Sequence, residues 1–248
     1  MKIAIVYTGI VDGFFHDTSN LNIPRVFDEY IENNLTHFIN PIKEKYETDI
    51  YLTSYENKTN DKVLEVLNPK KHQFIDYPSS TQITTYIKSM EMMLEENFDF
   101  MFAARFDLFY RSNVIDWNFD YQKFNVLFKE DNFKELNFTC DCLYGIPKKH
   151  LKAFIIALKQ AELFHPQPYF RKNMHPVVYN FSKIMSKYPI HFLSNKYQIT
   201  SEENAFFMLY RQKVEKYGHD YVLPDLDLPQ NIDNIMFSDR DNIDRVNL

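Results

Sequence analysis

The chain has 248 residues, 45% of them hydrophobic and 17% aromatic, with 23 Phe, 17 Tyr and only 4 Gly. That supply of apolar side chains suits one large α/β domain and excludes a disordered chain. The formal net charge of -6 gives no electrostatic footprint for a nucleic-acid backbone, while leaving room for a local basic pocket that takes a diphosphate.

The opening Met1 to Val11 carries one Lys and an apolar run too short for a signal peptide. No stretch approaches the roughly 20 apolar residues of a membrane helix. Cys140 and Cys142, one residue apart, are too close for an ordinary disulfide and read as reduced thiols. The expectation is a cytoplasmic chain. Without a second Cys pair or a His array, the two cysteines read as small residues on a buried strand, not as metal ligands.

Ile3 to Tyr7 is a continuous apolar run ending in Thr8-Gly9, which predicts a buried first strand and a turn. After a loop, Pro24 opens a helical pattern through Val26, Phe27, Tyr30, Ile31, Leu35, Phe38 and Ile39, with a break or kink at Pro41. Asp49 to Tyr55 reads as a second strand, Lys62 to Leu67 as a short helix, and Gln73 to Tyr77 as a third strand. Ser79 or Ser80 is placed to cap a helix whose apolar face is Ile83, Tyr86, Ile87, Met90 and Leu94. Phe98 to Tyr110 reads as the fourth strand. This alternation predicts a mostly parallel sheet flanked by helices, with the ligand at the C-terminal strand ends.

In the second half, Asn125 to Phe128 and Cys140 to Ile146 read as strands, and Lys148 to Leu163 as a helix. Further helices are predicted over Pro176 to Tyr188 and Ser201 to Tyr217, with a short strand at His191 to Leu193. The Asp-, Asn- and Pro-rich tail from Pro224 reads as irregular. No repeat or linker divides the chain. The expectation is one domain over 1–248, with a nucleotide-binding half (1–110), an acceptor-binding half (111–220) and an irregular tail (221–248).

Arg105 and Asp107 stand two residues apart in an apolar, strand-like segment, so a period of two puts both on one side. Charges there need a partner or a metal. Two readings stay open. One is a structural ion pair at a strand end. The other is a metal–diphosphate site, with Asp107 holding Mg²⁺ or Mn²⁺ and Arg105 binding phosphate.

The order of motifs resembles GT-A-type glycosyltransferases, including those of large DNA viruses. It rests on Thr8-Gly9, Arg25, Asp49 to Tyr55 and Arg105-Phe106-Asp107-Leu108, followed by Cys140-Asp141-Cys142-Leu143-Tyr144-Gly145 and Thr200-Ser201-Glu202-Glu203. These matches run over about residues 1 to 215. The resemblance implies a GT-A-like fold, a nucleoside diphosphate sugar as donor (UDP being the expected nucleotide), and a glycan or glycoside acceptor. It also implies Mn²⁺ or Mg²⁺ at Asp107, although Arg105 stands where the usual Asp-x-Asp motif has its first carboxylate. Tyr55 stands where relatives often carry Trp. A viral source would place the chain in the host cytoplasm. The Asn-, Lys-, Ile-, Phe- and Tyr-rich composition fits an AT-rich genome, viral or bacterial.

On this resemblance Tyr7, Thr8 and Gly9 would lie at the nucleoside, and Tyr55 would stack on a base. Arg25 would meet phosphate at a helix N-terminus. Asp141 reads either as the base that deprotonates the acceptor hydroxyl or as a strand-end cap near Lys148. Glu202 is the other candidate base, because the Thr200/Glu203 capping box already accounts for Glu203. His72, His150 and His165 sit in polar or loop sequence. His219 is noted as a candidate metal ligand, and Asp225-x-Asp227 reads as a solvated acidic tail. Two rival functions remain: a nucleotidyltransferase, for which no Gly-rich phosphate loop is present, and a non-catalytic carbohydrate-binding protein.

Overall fold

The computed structural model describes residues 1–9, 11, 13–16, 22–25, 27–76, 81–127, 129–130, 140–164, 174, 190–193, 197–198 and 207–209. Thirteen strands are formed there: β1 (Lys2–Thr8), β2 (Gly13–His16), β3 (Asn22–Arg25), β4 (Glu47–Tyr55), β5 (Lys71–Ile75), β6 (Phe100–Arg105), β7 (Leu108–Tyr110), β8 (Phe124–Val126), β9 (Lys129–Glu130), β10 (Leu143–Pro147), β11 (Ile190–Phe192), β12 (Tyr197–Gln198) and β13 (Phe207–Leu209). Five α-helices accompany them: α1 (Phe27–Asn34), α2 (Asn40–Lys45), α3 (Asn60–Leu67), α4 (Gln82–Met92) and α5 (Leu151–Phe164).

The expected α/β architecture is present. Seven strands form one sheet in the order β11-β8-β10-β6-β1-β4-β5. β4, β5 and β6 join β1 in parallel, and only β10 runs against its neighbours. Alternation along the central strands covers both faces. Ile3, Ile5 and Tyr7 of β1, with Phe100, Phe102 and Ala104 of β6, pack with residues of α1, α2 and α3. Ala4, Val6, Met101 and Ala103 pack with α4 and α5. The first face is filled by interlocked rings, including Phe38 edge-on to Tyr7 and to Phe102. Small side chains on the second face let α4 lie close to the sheet. Gly145 of β10 is held to glycine by its neighbours, since a Cβ there would lie 2.6 Å from the buried Phe100 ring.

Several elements differ from expectation. Pro24 opens no helix: Asn22–Arg25 pairs antiparallel with Gly13–His16, a two-stranded ribbon that tolerates a missing N–H. Pro41 does not break the helical stretch. A π-turn over Leu35–Ile39, in which the Asn40 N–H donates to the Leu35 carbonyl, widens the backbone ahead of the proline ring. The α4 N-cap is Thr81, not Ser79 or Ser80, and it forms a reciprocal capping box with Thr84. The expected strand over 98–110 breaks after Arg105 and resumes at Leu108. The helix expected over 201–217 is overturned at Phe207–Leu209, an apolar run that suits either period and pairs antiparallel with β7. His150, at the end of the 3-10 turn Lys148–His150, is buried. The helix expected over 176–188 and the irregular tail lie outside the described residues.

Two asparagines at the end of α1 fix β7. Asn33 accepts from the Tyr110 N–H at 2.7 Å and donates to the Tyr110 carbonyl at 3.0 Å. Asn34, fully buried, donates to the carbonyls of Leu108 and Tyr30 and accepts from the Tyr7 hydroxyl at 2.8 Å. At the opposite edge of the sheet, the Lys148 ammonium donates to three carbonyls at the end of α4, those of Met93, Leu94 and Glu96. Among the described residues no helix is long and apolar enough to cross a membrane.

Two predictions follow from these bonds. Asn34→Ala leaves the buried Tyr7 hydroxyl and Leu108 carbonyl without their partner, and should cost about 2–4 kcal/mol in urea unfolding. Glu96 accepts from Tyr51 and pairs with Lys70 and Lys71. The Lys71 bond, then that of Lys70, lowers its carboxyl from 4.5 to about 2. Because the folded-state value is the lower one, this stabilisation is complete above 4.5 and is lost as pH falls towards about 2. Glu96→Gln should therefore lower stability by about 1–3 kcal/mol at neutral pH, and the gap to wild type should close on acidification.

Candidate active site

The C-terminal ends of the parallel strands carry a row of polar residues where an apolar row would otherwise continue. The register aligns Gln73 of β5 with Thr53 of β4, Thr53 with Thr8 of β1, and Thr8 with Arg105 of β6. Thr53 and Thr8 are almost wholly buried and are satisfied internally. The Gln73 amide donates to the Thr53 hydroxyl at 2.9 Å, and the Ser89 hydroxyl of α4 donates to that of Thr8 at 3.1 Å. The helix supplies a matching stripe. Thr81, Thr85 and Ser89 recur every fourth residue, and the Thr85 hydroxyl meets that of Tyr55 at 2.8 Å.

Arg105 is the centre of this edge. Its Nε and Nη2 donate to the two oxygens of Asp107 at 2.9 and 2.6 Å, a bidentate pair. Nη1 donates to both oxygens of Asp141 at 3.3 Å. The chain bend at Phe106 makes the first contact possible: that ring stacks on Tyr7 at 4.5 Å, turning Asp107 back towards the end of β6. Asp141, just ahead of β10, also accepts from the Gln82 amide at 2.7 Å and the Cys142 thiol at 3.2 Å. Gln82, the first residue of α4, uses its carbonyl oxygen to accept from the Met174 N–H.

The side chains of Arg105, Asp107 and Asp141 are only 18%, 2% and 11% exposed. Burial works against the guanidinium charge, but Asp107 and Asp141 outweigh it and hold Arg105 well above its ordinary value, so it stays charged. The bond with Cys140, then burial, pushes the Cys142 thiol well up, so it donates as a thiol and is not a thiolate. The trio carries one positive and two negative charges, and its exposed rim is a guanidinium with carboxylate oxygens beside it. Four of the five guanidinium hydrogens face Asp107, Asp141 and the Cys142 sulfur. The second hydrogen on Nη2 has no acceptor among the described residues.

The structure thus brings Thr8, Arg105, Asp107 and Asp141 together, with Gly9 at the rim. Gly9 has φ of 105°, a left-handed turn suited to glycine, and its N–H donates to the Thr53 carbonyl. Tyr7 is corrected: odd residues of β1 face α1–α3, so its ring is fully buried in the core and presents no surface to a ligand. Tyr55 ends β4 on the α4 side and is 8% exposed. Arg25 closes β3 two residues ahead of the first residue of α1, and its side chain lies outside the described residues. Glu202, His165, His219, Asp225 and Asp227 also lie outside them. Sequence reasoning missed Gln82, Thr53 and Ser89. The spacing of Thr81, Thr85 and Ser89 on an otherwise apolar helix face was the available signal.

The donor set as arranged does not fit a resident divalent cation. Both oxygens of Asp107 and of Asp141 receive hydrogens from Arg105, so the guanidinium stands where a cation bridging the two carboxylates would lie. Among the described residues no three His, Cys, Asp or Glu side chains converge.

No protein-family model matches the sequence, and no curated protein matches it. Solved structures with a similar chain path include a nucleoside-diphosphate-sugar pyrophosphorylase from Vibrio cholerae RC9, 12% identical with a TM-score of 0.49, over 76% of this chain and 90% of that one. A cytidylyltransferase from Leptospira borgpetersenii is 12% identical with a TM-score of 0.43, over 91% of this chain and 90% of that one. A glycosyltransferase from Streptococcus pneumoniae TIGR4 is 11% identical with a TM-score of 0.44, over 77% of this chain and 46% of that one.

The burial of the charged trio sets a stability prediction. Arg105→Met takes the bidentate cationic partner from the buried Asp107 carboxylate and should cost about 3–5 kcal/mol in chemical unfolding. Arg105→Met combined with Asp107→Leu should recover part of that loss, since Asp141 still lacks the guanidinium. A double variant as unstable as the single one would show that the pair's charge is not the source of the cost.

Proposed function

We propose that this chain transfers a glycosyl group from a nucleoside diphosphate sugar, with UDP as the expected nucleotide, to a hydroxyl of a glycan or glycoside acceptor. One observation carries the reading: Arg105 and Asp141 are joined at the C-terminal edge of the parallel strands, beside the Thr8-Gly9 turn. Crevices at such edges are where open α/β sheets bind ligands. The resemblance of Thr8-Gly9, Arg105-Phe106-Asp107-Leu108 and Cys140-Asp141-Cys142 to glycosyltransferase motifs supports the same placement.

In this reading the acceptor oxygen attacks the anomeric carbon of the donor sugar. Its proton passes to Asp141, the bond from the anomeric carbon to the diphosphate oxygen breaks, and the electron pair leaves with the diphosphate. The remaining Nη2 hydrogen of Arg105 donates to a diphosphate oxygen and steadies that charge. Asp107 holds the guanidinium plane through its bidentate pair, and Gln82 and the Cys142 thiol orient Asp141. Carboxylate oxygens at the rim also accept hydrogen bonds from sugar hydroxyls. A single base and one displacement give inversion at the anomeric carbon.

The test is transfer of a labelled sugar from a panel of UDP-sugars to glycan acceptors. Asp141→Asn should lower the transfer rate at saturating UDP-sugar by about 10²–10⁴. UDP-sugar binding without any transfer would point to a carbohydrate-binding protein. Release of pyrophosphate from a nucleoside triphosphate and a sugar phosphate would point to a nucleotidyltransferase. Either result contradicts the proposal.

A further inference from the structure

We infer that Arg105 fills the place of a divalent cation, so that this edge holds its diphosphate ligand without metal. The second half of that statement rests on the proposed donor site; the first half stands on geometry alone. Asp107 and Asp141 come from different segments, one after β6 and one ahead of β10. Yet both present their carboxylates to a single cationic centre, at 2.6–3.3 Å. Two carboxylates from separate strand ends converging on one positive charge is the arrangement that an oxygen-ligated divalent ion takes. Here the charge is covalently part of the chain.

Three further features fit a permanent occupant. The carboxylates are too buried to be left without a counter-charge, at 2% and 11% side-chain exposure. The guanidinium cannot be lost by deprotonation, since Asp107 and Asp141 hold it charged despite its burial. Its position is fixed from behind as well, because the Arg105 N–H donates to the Cys142 carbonyl at 3.0 Å. That bond ties β6 to the segment carrying Asp141. What the guanidinium offers a ligand is one directed N–H, not a coordination position. The edge therefore recognises a diphosphate oxygen by hydrogen bonding.

The inference is tested by Mn²⁺ binding, followed by electron paramagnetic resonance on the full chain. Wild type should leave Mn²⁺ free. Arg105→Asp, which places a third carboxylate beside Asp107 and Asp141, should bind Mn²⁺ at least about tenfold more tightly, and adding Asp141→Asn should remove the gain. Tight Mn²⁺ binding by wild type that Asp107→Asn abolishes would overturn the inference, as would a folded Arg105→Asp with no gain. Should Arg105→Asp fold only when Mn²⁺ is added, by circular dichroism, that supports the cation slot. An unfolded variant with and without Mn²⁺ contradicts it.

A second readout uses wild type alone. The rise in melting temperature caused by UDP should be the same in EDTA as in Mn²⁺. A rise that needs Mn²⁺ overturns metal-free binding. No rise under either condition removes the proposed donor site, and the Mn²⁺ titrations then decide the cation slot by themselves.

Discussion

The guanidinium of Arg105, held between two carboxylates, is the contact on which the C-terminal edge of the sheet depends. It joins the end of β6 to the turn before β7 through Asp107, and to the start of β10 through Asp141. Asp141 passes the connection to Gln82 at the start of α4, and Gln82 to the backbone of Met174. Four separate stretches of chain are thus linked through one charge. Each partner is mostly buried, so the ionic contacts are screened little by solvent and their loss leaves a buried carboxylate without its guanidinium. Such a contact contributes less to net stability than an apolar core does, but it allows only one arrangement of these segments.

The rest of the fold makes this edge possible by treating the two faces of the sheet differently. On the α1–α3 face, rings fill the space, and the Tyr7–Phe106 stack turns the chain sharply after Arg105. On the α4–α5 face, small residues such as Ala4 and Ala103 bring α4 close, and its polar stripe reaches the strand ends. The half-buried Asn33 and the buried Asn34 anchor β7 from behind by satisfying its backbone groups. The polar rung Gln73–Thr53–Thr8–Arg105 is therefore a continuation of ordinary strand pairing, placed where the apolar layer ends.

Much of this was legible in the residues. Ile3 to Tyr7, Asp49 to Tyr55 and the alternating helical periods announce the parallel half, because buried strands read as continuous apolar runs. The isolated Arg105 and Asp107 in an aromatic-rich segment announced a special strand end, and both the structural and the functional reading pointed to the same place. What was not legible depended on tertiary partners. Phe207–Leu209 has an apolar pattern that suits helix or strand, and it pairs with β7 as a strand. Pro24 and Pro41 are local signals whose meaning changes with a ribbon partner and with a π-turn. The face of Tyr7 follows from the strand period once the side of α4 is known. Gln82 could be paired with Asp141 only in three dimensions, being 59 residues away in the chain.

One guanidinium organises this edge and, in the proposed function, meets the diphosphate directly. Calorimetric titration of UDP into wild type and Arg105→Lys, both in EDTA, tests it most directly. Lysine keeps the charge but loses the planar fork that holds Asp107 and Asp141 together with a ligand oxygen. Wild type should bind measurably, and Arg105→Lys should lose at least about tenfold in affinity. Equal affinity in the two proteins would contradict that role of the guanidinium.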